Sequence, residues 1–242
     1  MTVIPHPSPN FGPRREGPVD MLVLHYTGMA GAGEALARLC DPAAEVSSHY
    51  LIDEDGSVFQ LVDEGSRAHH AGVSFWAGTR DVNSRSIGIE LVNPGHELGY
   101  RPFPQAQMAA LAELARAILR RHPIPSARVL GHADVAPARK RDPGELFDWA
   151  WLAARGIGLW PDAAAPAPPI GPWAGLGLIG YDAAEPDAAV AAFQRHFLPA
   201  ALGRGLDAAT VLRIAQVAAA FATSSLTPGQ PRPRSCAGQA AG

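Results

Sequence analysis

The stretch GHADVAPARKRDP, Gly131 to Pro143, holds a histidine, two aspartates and Lys140, the only lysine of the chain. Every other basic side chain is arginine or histidine. Lys140 follows His132 by eight positions and Asp142 follows it by ten. A second histidine, His25, closes the apolar run VDMLVLH. Two neutral imidazoles and one carboxylate make a suitable ligand set for a catalytic zinc, with a fourth position left open for water. Zinc lowers the pKa of such a water toward about 7, so a nucleophile is available at neutral pH. Attack on a carbonyl then asks for a base and for a group that stabilises the developing oxyanion. Glu90 fits the first role. It lies in SRSIGIELVN among Ile87, Ile89 and Leu91, where burial raises a carboxyl pKa into a useful range. Lys140 fits the second, because a compact ammonium on a flexible stem suits a single oxygen better than a planar guanidinium does.

Each of these residues also has a plainer reading. A lone histidine at a strand end is often a structural residue, Glu90 could pair with an arginine, and one of the basic positions could be lysine by chance. Asp134, two residues after His132, is a rival third ligand, or else the cap of the next turn. His69 and His70, in RAHHAGVSFW, read as an exposed loop able to contact substrate. His49 stands at a strand start. His6, His96, His122 and His196 have no sequence neighbours that argue for chemistry.

The elements that must position these groups follow from the apolar pattern. VDMLVLHY and SRSIGIELVN read as buried strands, and ARVLGH as a short one ending at His132. SHYLIDEDGSVFQLVDE is two apolar runs around Asp55-Gly56, a hairpin signal, since Asp-Gly suits the positive φ of a tight turn. GAGEALARLC predicts a short helix. PQAQMAALAELARAILRRH predicts a long one, with proline near its start and arginines in its last turn. After Trp160 comes the Ala/Pro-rich PDAAAPAPPIGPW, a semi-rigid linker. Two Ala-rich helical segments follow, and then a polar tail expected to be disordered.

Composition bounds the function. Hydrophobic residues make up 47% of the 242 and charged residues 18%, a soluble globular balance. A net charge of -3 gives no pull toward nucleic acid. Two distant cysteines, Cys40 and Cys236, match no metal spacing and no disulfide framework. No run has the length of a membrane span and the N-terminus has no signal-peptide pattern. The expected location is cytoplasmic, or periplasmic or envelope-bound if a leader is missing.

In chain order, MLVLHYTGM, SSHYLIDEDGSVFQLV, AHHAGVSFW, NSRSIGIELVN and GHADVAPARKRDPGELFDW resemble the zinc-dependent N-acetylmuramoyl-L-alanine amidases of type 2. These are the AmpD- and AmiD-like enzymes related to peptidoglycan recognition proteins. The resemblance covers about Pro5 to Trp160 and implies an α/β fold, a central mixed β-sheet flanked by helices, with zinc in a groove. It implies His25, His132 and Asp142 as zinc ligands, Glu90 as catalytic acid/base, Lys140 as transition-state stabiliser and His70 as a lining of the substrate groove. Asp134 then keeps a structural role. The implied substrate is a muropeptide or peptidoglycan, the 1,6-anhydro form above all; the rival class is a non-catalytic peptidoglycan-recognition module. A zinc peptidase reading lacks the HExxH signature. The segment from Leu176 to Gln216 is similar to the small helical peptidoglycan-binding domain, with the Gly/Pro-rich PPIGPWAGLGLIG in place of its first helix. The expected organisation is a catalytic domain over 1–160, a linker over 161–172, a helical domain over 173–222 and a tail over 223–242.

Overall fold

The computed structural model describes residues 2–182 and 184–224, so the expected tail lies almost wholly outside the described residues. Eight strands form two sheets: β1 (Val3–Pro5), β2 (Phe11–Pro13), β3 (Met21–Tyr26), β4 (Tyr50–Ile52), β5 (Val58–Gln60), β6 (Ser66–Ala68), β7 (Ser86–Leu91) and β8 (Val129–Gly131). Six of them make a mixed sheet in the order β1-β5-β4-β7-β3-β8, while β2 and β6 pair alone. The Asp55-Gly56 hairpin is present as the antiparallel β4–β5 pair. The central pairs, β3 with β7, β3 with β8 and β4 with β7, are all parallel. Parallel central strands are covered on both faces, which is why they read as continuous apolar runs.

The helices are α1 (Ala32–Cys40), α2 (Val82–Arg85), α3 (Gly95–Leu98), α4 (Gln105–Arg121), α5 (His132–Val135), α6 (Trp149–Ala153), α7 (Pro172–Ile179), α8 (Pro186–Phe197) and α9 (Ala208–Ser224). Side chains alternate between the two faces of a strand. Leu22 and Leu24 of β3, with Ile87, Ile89 and Leu91 of β7, share one face and pack against Met108, Leu111, Leu114 and Ile118 of α4. Met21 and Val23 share the other face with the C-terminal helices: one core joins them to Leu176, Ile179, Phe193, Ile214 and Val217. A helical unit of about 50 residues is short of core on its own; this one completes its core on the sheet.

Two local expectations change. The strand before His132 ends at Gly131, and His132 opens α5 instead of closing β8. The Gly/Pro-rich segment does not replace a helix; it forms one, α7. Pro172 sits in its first turn, where its missing N–H costs nothing. Gly175 is needed for contact, because a Cβ there would stand 2.5 Å from Ile214 Cγ2 of α9. The linker is tied to α9: Arg213 donates to the Pro161 carbonyl at 2.8 Å, and Gln216 to that of Ala163 at 2.8 Å.

Candidate active site

Parallel sheets present their strand carboxyl ends to ligands, and that is where the chemistry gathers. His25 and Glu90 are register partners on adjacent parallel strands, so their side chains leave the same face side by side. His132 follows the end of β8, on the other side of β3. Asp142 is brought back to it by the loop, where the Ala133 N–H donates to the Asp142 carbonyl at 2.8 Å. The Asp142–Pro143 peptide is cis.

Among the described residues, His25, His132 and Asp142 form a buried group able to hold a metal ion. The Nδ1 atoms of His25 and His132 are 2.9 Å apart. Asp142 Oδ2 is 3.0 Å from His132 Nδ1 and 3.2 Å from His25 Nδ1. Tetrahedral ligation at the usual zinc–nitrogen distance would separate such atoms by about 3.3 Å.

The surroundings say what these atoms are doing. His132 Nε2 lies 3.1 Å from the Ala71 carbonyl, which can only accept, so the tautomer that fits has its proton on Nε2 and its Nδ1 bare. His25 Nε2 lies 3.0 Å from His70 Nδ1, His70 Nε2 lies 3.1 Å from Ser86 Oγ, and Ser86 Oγ donates to the Val82 carbonyl at 2.6 Å. For neutral rings that chain runs one way: His25 donates to His70, His70 to Ser86. His25 Nδ1 is then bare as well. Two lone pairs and a carboxylate oxygen converge on one point, an arrangement that repels itself without a cation. The donor set fits a divalent metal, and outer hydrogen bonds of this kind fix the ligand tautomers.

Electrostatics agree. Burial, with His132 beside it, pushes His25 down to about 4, so the ring is neutral at physiological pH. Burial alone would raise the Asp142 carboxyl, but the two imidazoles, His132 foremost, hold it below the ordinary carboxylate range. Glu90 goes the other way. Burial and then Asp142 push its carboxyl up to about 8, against a downward pull from Lys140. The arginine pairing open to Glu90 in sequence is not made among the described residues. Its Oε2 is buried without a hydrogen-bond partner, while the residue still borders the groove.

That groove has a volume of about 390 Å³ and is lined by Tyr26, His69, His70, Glu90, His132, Lys140 and Asp142 among others. His70 is not on an exposed loop: it is 8% exposed and lies against the sheet under His25. The loop turns inward because Asn83 accepts from the N–H groups of His70 and Ala71, at 3.1 and 2.8 Å. Gly88 leaves room, since a Cβ there would stand 2.5 Å from the His70 ring. His49 is fully buried and receives the Gly88 N–H at 3.0 Å. Asp134 does not join the ligands. It caps its own turn, accepting from Gly131 N–H at 2.7 Å. Sequence reasoning missed Asn83, Ser86 and Arg14, whose guanidinium lies beside His49 and donates to the carbonyls of Glu64, Ser84 and Ser86. The missed signal is Asn83-Ser84-Arg85-Ser86, a polar run leading into a buried strand.

The sequence profile of the family described as N-acetylmuramoyl-L-alanine amidase matches residues 15–145. The chain is 40% identical over 223 residues to the N-acetylmuramoyl-L-alanine amidase AmiD of Escherichia coli K12, covering 79% of both chains. Its fold is similar to that of E. coli AmiD in complex with the substrate anhydro-N-acetylmuramic acid-L-Ala-D-gamma-Glu-L-Lys. That likeness has a TM-score of 0.74 at 37% identity and covers 87% of this chain and 91% of the other. AmpDh3 of Pseudomonas aeruginosa, in complex with anhydromuramic pentapeptide, is similar at a TM-score of 0.75 and 32% identity, covering 88% and 95%.

Proposed function

The chain belongs to the N-acetylmuramoyl-L-alanine amidase family, and we propose that it hydrolyses the amide between the lactyl group of N-acetylmuramic acid, in its 1,6-anhydro form, and the L-alanine of the stem peptide. One observation carries the reading. A carboxyl group with one buried, unpartnered oxygen, Glu90 Oε2, lies in register beside His25, a member of the His/His/Asp cluster, and lines a groove that also takes in the lone lysine.

In this reading His25, His132 and Asp142 hold zinc. When bound, the metal supplies a Lewis acid that polarises a carbonyl and acidifies water. The other steps belong to the chain. Glu90 takes the proton of the attacking water and delivers it to the departing L-alanine nitrogen. Its raised pKa suits both halves, because a carboxyl near neutrality can accept and return a proton. Lys140 meets the carbonyl oxygen as negative charge builds on it. His70, His25's hydrogen-bond partner, keeps the His25 ring turned with Nδ1 toward the cluster. The anhydro-muropeptides bound by the two similar solved proteins support the substrate class.

The test is a single incubation of the purified chain with an anhydro-muropeptide, followed by mass spectrometry for the free stem peptide. The peptide is expected to appear, to vanish with chelator and to return with added zinc. Substrate that is bound but stays intact in the presence of zinc would replace the enzyme with a recognition module.

A further inference from the structure

We infer that the C-terminal helices are part of the metal centre's scaffold, with Tyr181 and His196 acting on Asp134 as positioning residues for His132. The inference rests on the metal-site reading above and goes beyond it by assigning a role to a unit that contributes no ligand.

The Asp134 carboxylate is 2% exposed and receives three donors from three places. Gly131 N–H donates to Oδ2 at 2.7 Å, closing the turn that carries His132. His196 Nδ1 of α8 donates to the same oxygen at 2.7 Å. The Tyr181 hydroxyl donates to Oδ1 at 2.5 Å. Two of the three donors therefore come from the helical unit. Both are buried, and both are held on their apolar sides. The His196 ring stacks on Trp149 and on Phe197, each at 3.8 Å. Tyr181 meets Trp76 edge-on at 5.0 Å. The preceding residue of α8, Arg195, faces the far end of the ligand loop: its Nε is 3.9 Å from a Glu145 carboxylate oxygen, three residues beyond Asp142. One helix thus lies against the segment between its two ligands, at Asp134, and again just beyond Asp142.

A carboxylate with three donors has few alternative orientations, and a turn closed on it has few alternative backbones. With Tyr181 and His196 in place, Asp134 stays over Gly131 N–H, and His132 leaves α5 with Nδ1 aimed at His25 and Asp142. Without them the buried carboxylate loses two of its three donors and is free to leave the Gly131 N–H. The cost falls on the residue two positions away.

The experiment measures zinc affinity of the full chain by competition with a chromophoric chelator, beside thermal unfolding of the metal-free protein. Tyr181→Phe removes one hydroxyl and keeps the ring. His196→Phe removes the donor and keeps the stack, and His196→Asn restores a donor at nearly the same place. Thr210→Val is the control: it breaks the 3.0 Å bond from Gln194 inside the helical unit, away from Asp134. Tyr181→Phe and His196→Phe are each expected to weaken zinc binding by about ten- to a hundred-fold. His196→Asn should recover most of that loss, and Thr210→Val should lower stability with zinc affinity unchanged. Affinities equal to wild type in both Phe variants would overturn the positioning role and leave the metal site standing. A wild-type chain that binds no zinc would overturn the site reading, and this inference with it.

Discussion

The two faces of the six-stranded sheet are built from the same strands and do opposite work. Under α4 the core residues Leu22 and Leu24 of β3 and Ile87, Ile89 and Leu91 of β7 are all aliphatic, with no polar side-chain atom to satisfy. On the other face the apolar residues stop partway along the strands. Met21 and Val23 give way to His25, and β7 presents Ser86, Gly88 and Glu90 there, with no apolar side chain. These aliphatic residues gain free energy from burial, and the one buried polar side chain of α4, Gln107, donates to the Ile52 and Val92 carbonyls at the strand ends. The site face spends some of that free energy on a carboxylate with an unpartnered oxygen and on histidines kept neutral by burial. Sites that do chemistry carry such local costs, and the surrounding fold over-determines them.

Substitution should separate the faces cleanly. Glu90→Gln keeps the shape and removes the proton acceptor. Turnover of an anhydro-muropeptide is expected to fall by about 10²–10⁴-fold, with zinc content by elemental analysis unchanged. Activity that survives in this variant would place the base elsewhere. Leu111→Ala on α4 should do the reverse. The side chain is fully buried among the aliphatics of β3 and β7, so its loss should cost about 2–5 kcal/mol in denaturant unfolding. The folded fraction should keep the wild-type kcat/KM. A change in kcat/KM would mean that the α4 face also sets the geometry of the site.

That contrast also explains what was legible in the sequence. The α4 face announces itself by period, since the runs of β3 and β7 and the repeat of α4 each say where their apolar sides lie. His25, Glu90 and His132 were legible as polar groups in or at the ends of apolar runs, Lys140 as one lysine among arginines, and Asp142 by its place before Pro143, two positions from that lysine and ten from His132. The supports were not legible. His70 reads as a loop histidine until Asn83 turns its backbone inward and Gly88 makes room for its ring. His196 and Tyr181 lie far along the chain from Asp134, and nothing in either segment signals a carboxylate partner. The helix α7 was hidden because Gly and Pro ordinarily break helices; here Gly175 is required by the approach of Ile214.

The sharpest test of the site face is the pH dependence of stability in the metal-free chain. Burial raises the Glu90 carboxyl from an ordinary 4.5 to about 8 in the folded protein. Between those values the folded state holds a proton that the unfolded state has released. Stability from this group must therefore fall as pH rises from about 4.5 to about 8, by at most roughly 1.4 kcal/mol per pH unit. His25 opposes it. Its folded value is depressed from 6.5 to about 4, so it favours the folded state increasingly as pH rises through that lower window. A single stability curve mixes the two, and a difference curve does not. Glu90→Gln leaves His25 in place and removes only the carboxyl. Metal-free wild type and variant, unfolded by urea across this range, should differ least near pH 4.5. The variant should gain on the wild type up to about pH 8 and then hold a constant lead. A flat difference would mean that Glu90 ionises in the fold as readily as in water, and that the carboxylate of the site face costs no more than an exposed one.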